Sequence, residues 1–173
     1  GWVSGITPTP EGKLLIFGTF SPYTALIRKS AALMDENGLI DQSFNFSQHN
    51  YGSPIADMAF LPDGKIMVGG QSTAQSTAGA QNALTKINTD GSVDTTFSLP
   101  IYNSPGAAYV VRVQPDGKIV VAGQFVGAGG LPRASIARFN PDGSPDAAFT
   151  PRGIPISTAI YDIELQPDGK MIV

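Results

Sequence analysis

The sequence predicts an all-β fold, a β-propeller of four-stranded antiparallel blades, and three observations carry that expectation. Two motifs and a closing glycine recur together every 52 or 53 residues, short apolar runs of strand length alternate with turn residues, and the composition is rich in turn formers and poor in charge. Of 173 residues, 20 are Gly, 14 are Pro and 14% are charged, against roughly 25% charged in an ordinary globular chain. A helical bundle laced with ion pairs or a charged disordered tail does not fit that balance.

The repeat is read first, because a missed period misassigns the whole fold. Pro-Asp/Glu-Gly-Lys stands at Pro10 to Lys13, Pro62 to Lys65, Pro115 to Lys118 and Pro167 to Lys170. Gly-x-x-Asp-x-x-Phe follows in register at Gly38 to Phe44, Gly91 to Phe97 and Gly143 to Phe149. A glycine closes the apolar run after each lysine, at Gly18, Gly70 and Gly123. The repeats run over about 1–53, 54–106 and 107–158, with a partial one at 159–173.

The third repeat justifies each element in turn. Tyr109 to Val113 is a run of apolar and β-branched residues and reads as the innermost strand. Pro115-Asp116-Gly117 is a tight turn: proline presets φ, aspartate bonds its own backbone and glycine accepts positive φ. Lys118 to Ala122 returns as the second strand. After a glycine-rich connection from Val126 to Pro132, Ala134 to Phe139 forms a third strand, and Asn140-Pro141-Asp142-Gly143 turns the chain into a short outer strand around Asp146 to Phe149. The same reading makes Asp63, Gly64, Asp90, Gly91, Asp94, Asp168 and Gly169 turn residues of the other repeats. Matching apolar pairs mark the inner strands, Met58 with Phe60, Val111 with Val113 and Ile163 with Leu165. Blades of this kind pack face to face around an axis; a parallel β-helix is the competitor, but its coils are shorter and lack paired hairpins.

These residues resemble a known bacterial family, the delta-60 repeat proteins, whose signature is similar to Gln114 to Gly123 followed by Arg138 to Phe149. The resemblance implies a propeller of about seven blades, of which the chain would hold about three and a third. It also implies a secreted or cell-surface setting, often beside adhesive modules, and carries over no catalytic residues. The first repeat departs from the pattern, with Glu11 for aspartate and Met34-Asp35-Glu36-Asn37 where the third has Phe139-Asn140-Pro141-Asp142.

Composition narrows the chemistry. A net charge of −3 without a Lys/Arg run excludes a nucleic-acid footprint. The absence of cysteine removes disulfides, thiolate metal sites and thiol nucleophiles. His49 is the sole histidine, so mechanisms needing two imidazoles fall away. Apolar runs stop far short of the roughly 20 residues of a membrane-spanning helix, no charged-then-apolar leader opens the sequence, and no membrane insertion is expected.

The runs Asn88, Asp90, Ser92, Asp94 and Asn140, Asp142, Ser144, Asp146 offer oxygens at alternate positions, as a calcium loop does. The glycine and distal acid of such loops are misplaced or missing, so aspartate-stabilised turns are the expectation. No cofactor or metal is expected. Asp57, Asp162 and Glu164 lie on inner strands facing the axis, but nothing in their spacing brings two together. Variable connections should gather on the rim opposite the motif turns, where binding usually resides. There Tyr23, Tyr51 and Tyr102 could stack on sugar rings or anchor a protein, with His49, Arg133 and Arg152 supplying hydrogen bonds. The polar stretch Gln71 to Gln81 reads as a flexible loop.

The resulting expectation is a non-catalytic binding or display module of a bacterial secreted or surface protein, engaging glycan or protein through that rim. Self-association or further repeats would close the ring. The alternatives are a lyase or hydrolase with its site in the central channel, and a spacer in an adhesin.

Overall fold

A computed structural model describes residues 1–20, 30–46, 55–71, 83–97, 101–102 (backbone only), 106–155 and 158–173. The chain is all-β, a series of small antiparallel sheets. The first sheet holds β1 (Trp2–Pro8), β2 (Leu14–Thr19) and β3 (Ala31–Met34); the second holds β4 (Ile55–Phe60), β5 (Ile66–Gly70) and β6 (Leu84–Ile87). β7 (Ile101–Tyr102) lies in the connection that follows. The third sheet is built from β8 (Ala107–Val113), β9 (Ile119–Gln124) and β12 (Ile136–Phe139), with β10 (Gly127–Ala128) and β11 (Leu131–Pro132) between the last two. β13 (Glu164–Leu165) and β14 (Met171–Ile172) form a final hairpin.

Each motif turn folds for a local reason. The glycines Gly64, Gly117 and Gly169 sit at φ near +80°, a conformation that costs glycine nothing. Asp63, Asp116 and Asp168 each accept the amide of the lysine two residues on, at 3.1 Å. In the first repeat Thr9 compensates for Glu11: its hydroxyl oxygen accepts the amides of Glu11 and Lys13 at 3.2 and 3.1 Å.

The fourth strand expected in every repeat is reduced to a single bridge. Ile40, Val93 and Pro145 each pair once, with Met34, Ile87 and Phe139. The chain then turns, because the next residue is the motif aspartate, whose carboxylate gathers the amide two residues later. Ser43, Thr96 and Ala148 donate that bond at 2.9, 3.0 and 3.1 Å, which bends the backbone out of extended geometry.

The middle strands β5 and β9 are buried on both faces, and period-two geometry divides their side chains between two neighbours. On β5, Ile66 and Val68 join Leu15, Phe17 and Phe44 in the core between the first and second sheets. Met67 joins Ala108, Val111 and Val121 in the core between the second and third. On β9 the division repeats: Ile119 and Val121 face back, while Val120 and Ala122 pack with Ile160 and Ile163 of the last repeat.

The inner strands break that period once. Pairing skips a residue between Val3 and Gly5, between Ile55 and Asp57, and between Ala108 and Val110, so Ser4, Ala56 and Tyr109 are bulged. A bulge inserts one residue against none on the partner. Ile55 and Met58, three apart, therefore enter the same core, as do Ala108 and Val111. The recurring closing glycines pair with the residue before the bulge: Val3 with Gly18, Ile55 with Gly70, Ala108 with Gly123. A Cβ on Gly123 would overlap the Ala107 carbonyl and approach the Tyr109 nitrogen to 2.9 Å, so the bulge demands glycine opposite it.

Candidate functional site

The polar residues that recur in every repeat are spent within the repeat. The motif lysine of the hairpin reaches the motif aspartate of the outer segment, 28 or 29 residues on: Lys13 to Asp41 at 2.5 Å, Lys65 to Asp94 at 2.8 Å, Lys118 to Asp146 at 3.0 Å. The lysine ammonium and then the Ser43 hydroxyl hold the Asp41 carboxyl at about 2, and Lys65 with Thr96 does the same for Asp94. A cation on the third strand completes the cluster. Arg138 bonds Asp146 at 2.9 Å and lies 4.7 Å from the Phe149 ring centre, while Lys86 bonds Asp63 at 3.0 Å and lies 5.6 Å from that of Phe97. In the first repeat Leu33 stands in this place and packs against the core that holds Phe44.

The oxygen-rich turns are occupied by their own donors. Asp90 accepts the Ser92 amide and hydroxyl at 2.9 and 2.7 Å, and Asp142 accepts those of Ser144 at 2.8 and 2.7 Å. The serine hydroxyl bond, then the amide, lowers both carboxyls. Asn88 and Asn140 donate to the same serine hydroxyls at 2.9 Å. Among the described residues no group of three His, Asp or Glu side chains is placed to hold a metal ion.

The motif turns lie together on one rim: Pro62 and Pro141 both lie against Gly117. Away from them, two variable connections meet. Ile101 and Tyr102 pair with Ala128 and Gly127, which pair in turn with Leu131 and Pro132, so β7, β10 and β11 make a small sheet of their own. Arg133 follows it, half-buried, its guanidinium donating to the carbonyls of Pro132 at 3.0 Å and Ala147 at 3.3 Å. Arg152 is exposed. Tyr23, His49, Tyr51 and the stretch after Gln71 lie outside the described residues, as does the Tyr102 side chain. The structure thus brings the Tyr102 backbone beside the connection that leads to Arg133.

The face of the inner strands holds what the sequence spacing did not suggest. β1, β4 and β8 line an open cavity of about 640 Å³, with Thr7, Asp57, Met58 and Arg112 on its wall. Two of the three inner-strand carboxylates are brought together by one guanidinium. Arg112 Nη1 donates to Asp57 at 2.5 Å and Nη2 to Asp162 at 3.0 Å, while Nε reaches the Ile163 carbonyl at 3.0 Å. Asp57 also accepts the Val111 amide at 2.9 Å. Burial pushes its carboxyl upward, against the pull of that amide and of Arg112. Glu164 on β13 is exposed. Sequence spacing missed the pairing because the two aspartates stand two periods apart, and only the long side chain between them joins them. Tyr109 and Tyr161, at matching positions of successive repeats, stack with ring centres 5.4 Å apart and planes 10° apart.

With this geometry in hand, two stretches find their counterpart. Residues 61–97 and 114–149 each match the model of a domain of unknown function, DUF5122, described as a beta-propeller. No curated protein matches the chain.

Proposed function

The chain carries β-propeller repeats of the delta-60 family at 61–97 and 114–149, and from that premise we propose that it is a non-catalytic binding or display module. It engages glycan or protein at the surface of a bacterial cell or in its surroundings, through the rim where the variable connections meet. One observation carries the reading. The motif lysines and outer-segment aspartates are paired inside their own repeats, whereas two connections that differ between repeats meet in the small sheet of β7, β10 and β11. A rigid scaffold presenting dissimilar loops is the usual arrangement of a recognition surface.

The inner-strand carboxylates favour this over a channel enzyme, because Asp57 and Asp162 are both engaged by Arg112 and an acid–base pair needs its carboxylates free to exchange protons. A ring of about seven blades would complete the surface, closed by further repeats or by further copies of the chain. The solution mass distinguishes these. Binding is tested by glycan array and pull-down with the 173-residue chain. Tyr51→Ala with Tyr102→Ala, and separately Arg133→Ala with Arg152→Ala, should abolish or sharply weaken capture; retention by both pairs would move the site off this rim.

A further inference from the structure

The stacked sheets meet through side chains that are nearly interchangeable. Facing the preceding repeat, the second offers Ile55, Met58, Ile66 and Val68, the third Ala108, Val111, Ile119 and Val121, and the fourth Ile160 and Ile163. The backbone bonds across these joints, such as Asn45 to the Asp90 carbonyl at 2.7 Å and Ile160 to the Gly123 carbonyl at 3.0 Å, use groups that every repeat possesses. Apolar contacts of this kind are non-directional and do not tell one neighbour from another. Chains of similar repeats misassemble for that reason, by docking or swapping equivalent units.

Two contacts do discriminate: the Tyr109–Tyr161 stack, which joins the third repeat to the fourth, and the ion pairs of Arg112, which reach both neighbours. Among the described residues, six ion pairs stay within a repeat and two cross between repeats, and both crossing pairs belong to Arg112. The position of Asp57, five residues before the motif proline, is Gly5 in the first repeat, Val110 in the third and Asp162 in the fourth. The position of Arg112, three before the proline, is Thr7, Ala59 and Glu164 elsewhere. A guanidinium there finds an anion on both sides only between the second and fourth repeats. Set beside the first repeat instead, it would face Gly5, lose its less exposed counter-ion and keep only the exposed Asp162, and removing one partner of a pair sheltered from water is costly. Specificity of this kind comes from the cost of the wrong neighbour as much as from the gain of the right one.

We propose that Arg112 is the ordering key of the repeat stack, a positioning residue that seats the third repeat between the second and the fourth and rejects the first. Asp57 is the main lock, since it accepts both the guanidinium and the Val111 amide of the next inner strand. Asp162, exposed, is the secondary one.

The test is unfolding of the whole chain in urea and refolding by dilution, with products separated by size-exclusion chromatography and light scattering. The parent, at its native solution mass, sets the baseline. Arg112→Met and Asp57→Asn should yield several-fold more swapped or misdocked product, whatever fall in midpoint the native species they form also shows. Arg112→Lys, which keeps the charge, should return much of the native yield. Asp162→Asn, which leaves the main lock in place, should give an intermediate rise and covers the case in which Arg112→Met does not fold. The idea fails if the variants refold to the parent's product distribution. It fails equally if Arg112→Met and Asp57→Asn lower the midpoint without changing that distribution, since Arg112 would then be an ordinary stabilising contact.

Discussion

Lys118 Nζ lies 3.0 Å from the Asp146 carboxylate, joining the hairpin turn of the third repeat to its outer segment across 28 residues of chain. The same link recurs in the first and second repeats. The two motifs that made the repeat visible are therefore the two ends of one interaction, and their fixed separation is a distance constraint.

That link sets a dependence on pH. The Asp41 and Asp94 carboxyls, ordinarily near 3.8, are held at about 2 by their lysines. A carboxyl lowered by folding contributes its stabilisation in full above its unfolded value and loses it as pH falls through the folded one. The thermal midpoint should fall between about pH 4 and pH 2, and Asp41→Asn with Asp94→Asn should flatten that fall while lowering the midpoint at neutral pH. Asp57 is shifted the other way, so its effect on stability is lost as pH rises; Asp57→Asn should leave the acid-side fall in place. Calorimetry across this range reads all three.

The closing glycines should resist the smallest of substitutions. Gly123→Ala drives a methyl into the Ala107 carbonyl and is expected to cost about 1–3 kcal/mol, the usual range for overpacking. Gly130→Ala, in a connection with nothing near its Cβ, meets no neighbour and carries only the penalty of its positive φ. Urea denaturation of the two variants should place Gly123→Ala well below.

Phenylalanines at the same motif position should differ in worth. Phe44 is 1% exposed in an apolar core, whereas Phe97 is half-buried beneath the Lys86 ammonium. Truncation of a fully buried Phe costs about 3–5 kcal/mol, so Phe44→Ala should approach that range and Phe97→Ala fall clearly short of it in the same denaturation assay.

Calcium should leave the fold unmoved. The carboxylates of Asp90 and Asp142 already accept two donors each from their own turns. Thermal midpoints measured with calcium up to about 1 mM, the range of weak extracellular sites, should match those in chelator. A rise abolished by Asp142→Ala would overturn the turn assignment.

The sequence made the repeat, the hairpins and the turn chemistry legible because each rests on residues close in the chain. Glycine at positive φ and an aspartate bonding two residues ahead are local facts. The Lys118–Asp146 pair was not legible, since it depends on which strands lie side by side. The period-two pairs Met58 with Phe60, Val111 with Val113 and Ile163 with Leu165 do each share a core, but that reading stopped short of the bulge; the spacing of Ile55 and Met58, with a glycine facing Ile55, was the available signal. Arg112 escaped for a different reason. Comparison of repeats looks for sameness, and this residue matters by occurring once. Of the rim, Tyr102 was placed only by its backbone, through pairing with Gly127 that no local pattern encodes.

The bulge has a consequence for how such a chain tolerates change. Its three occupants, Ser4, Ala56 and Tyr109, have little in common, yet the place they hold must be kept. Deleting Ala56 would give β4 an unbroken ladder with β5 and turn Ile55 out of the core it shares with Met58, where replacing Ala56 would not. At these sites identity is free and length is not: evolution can write any letter there, but it cannot remove the space.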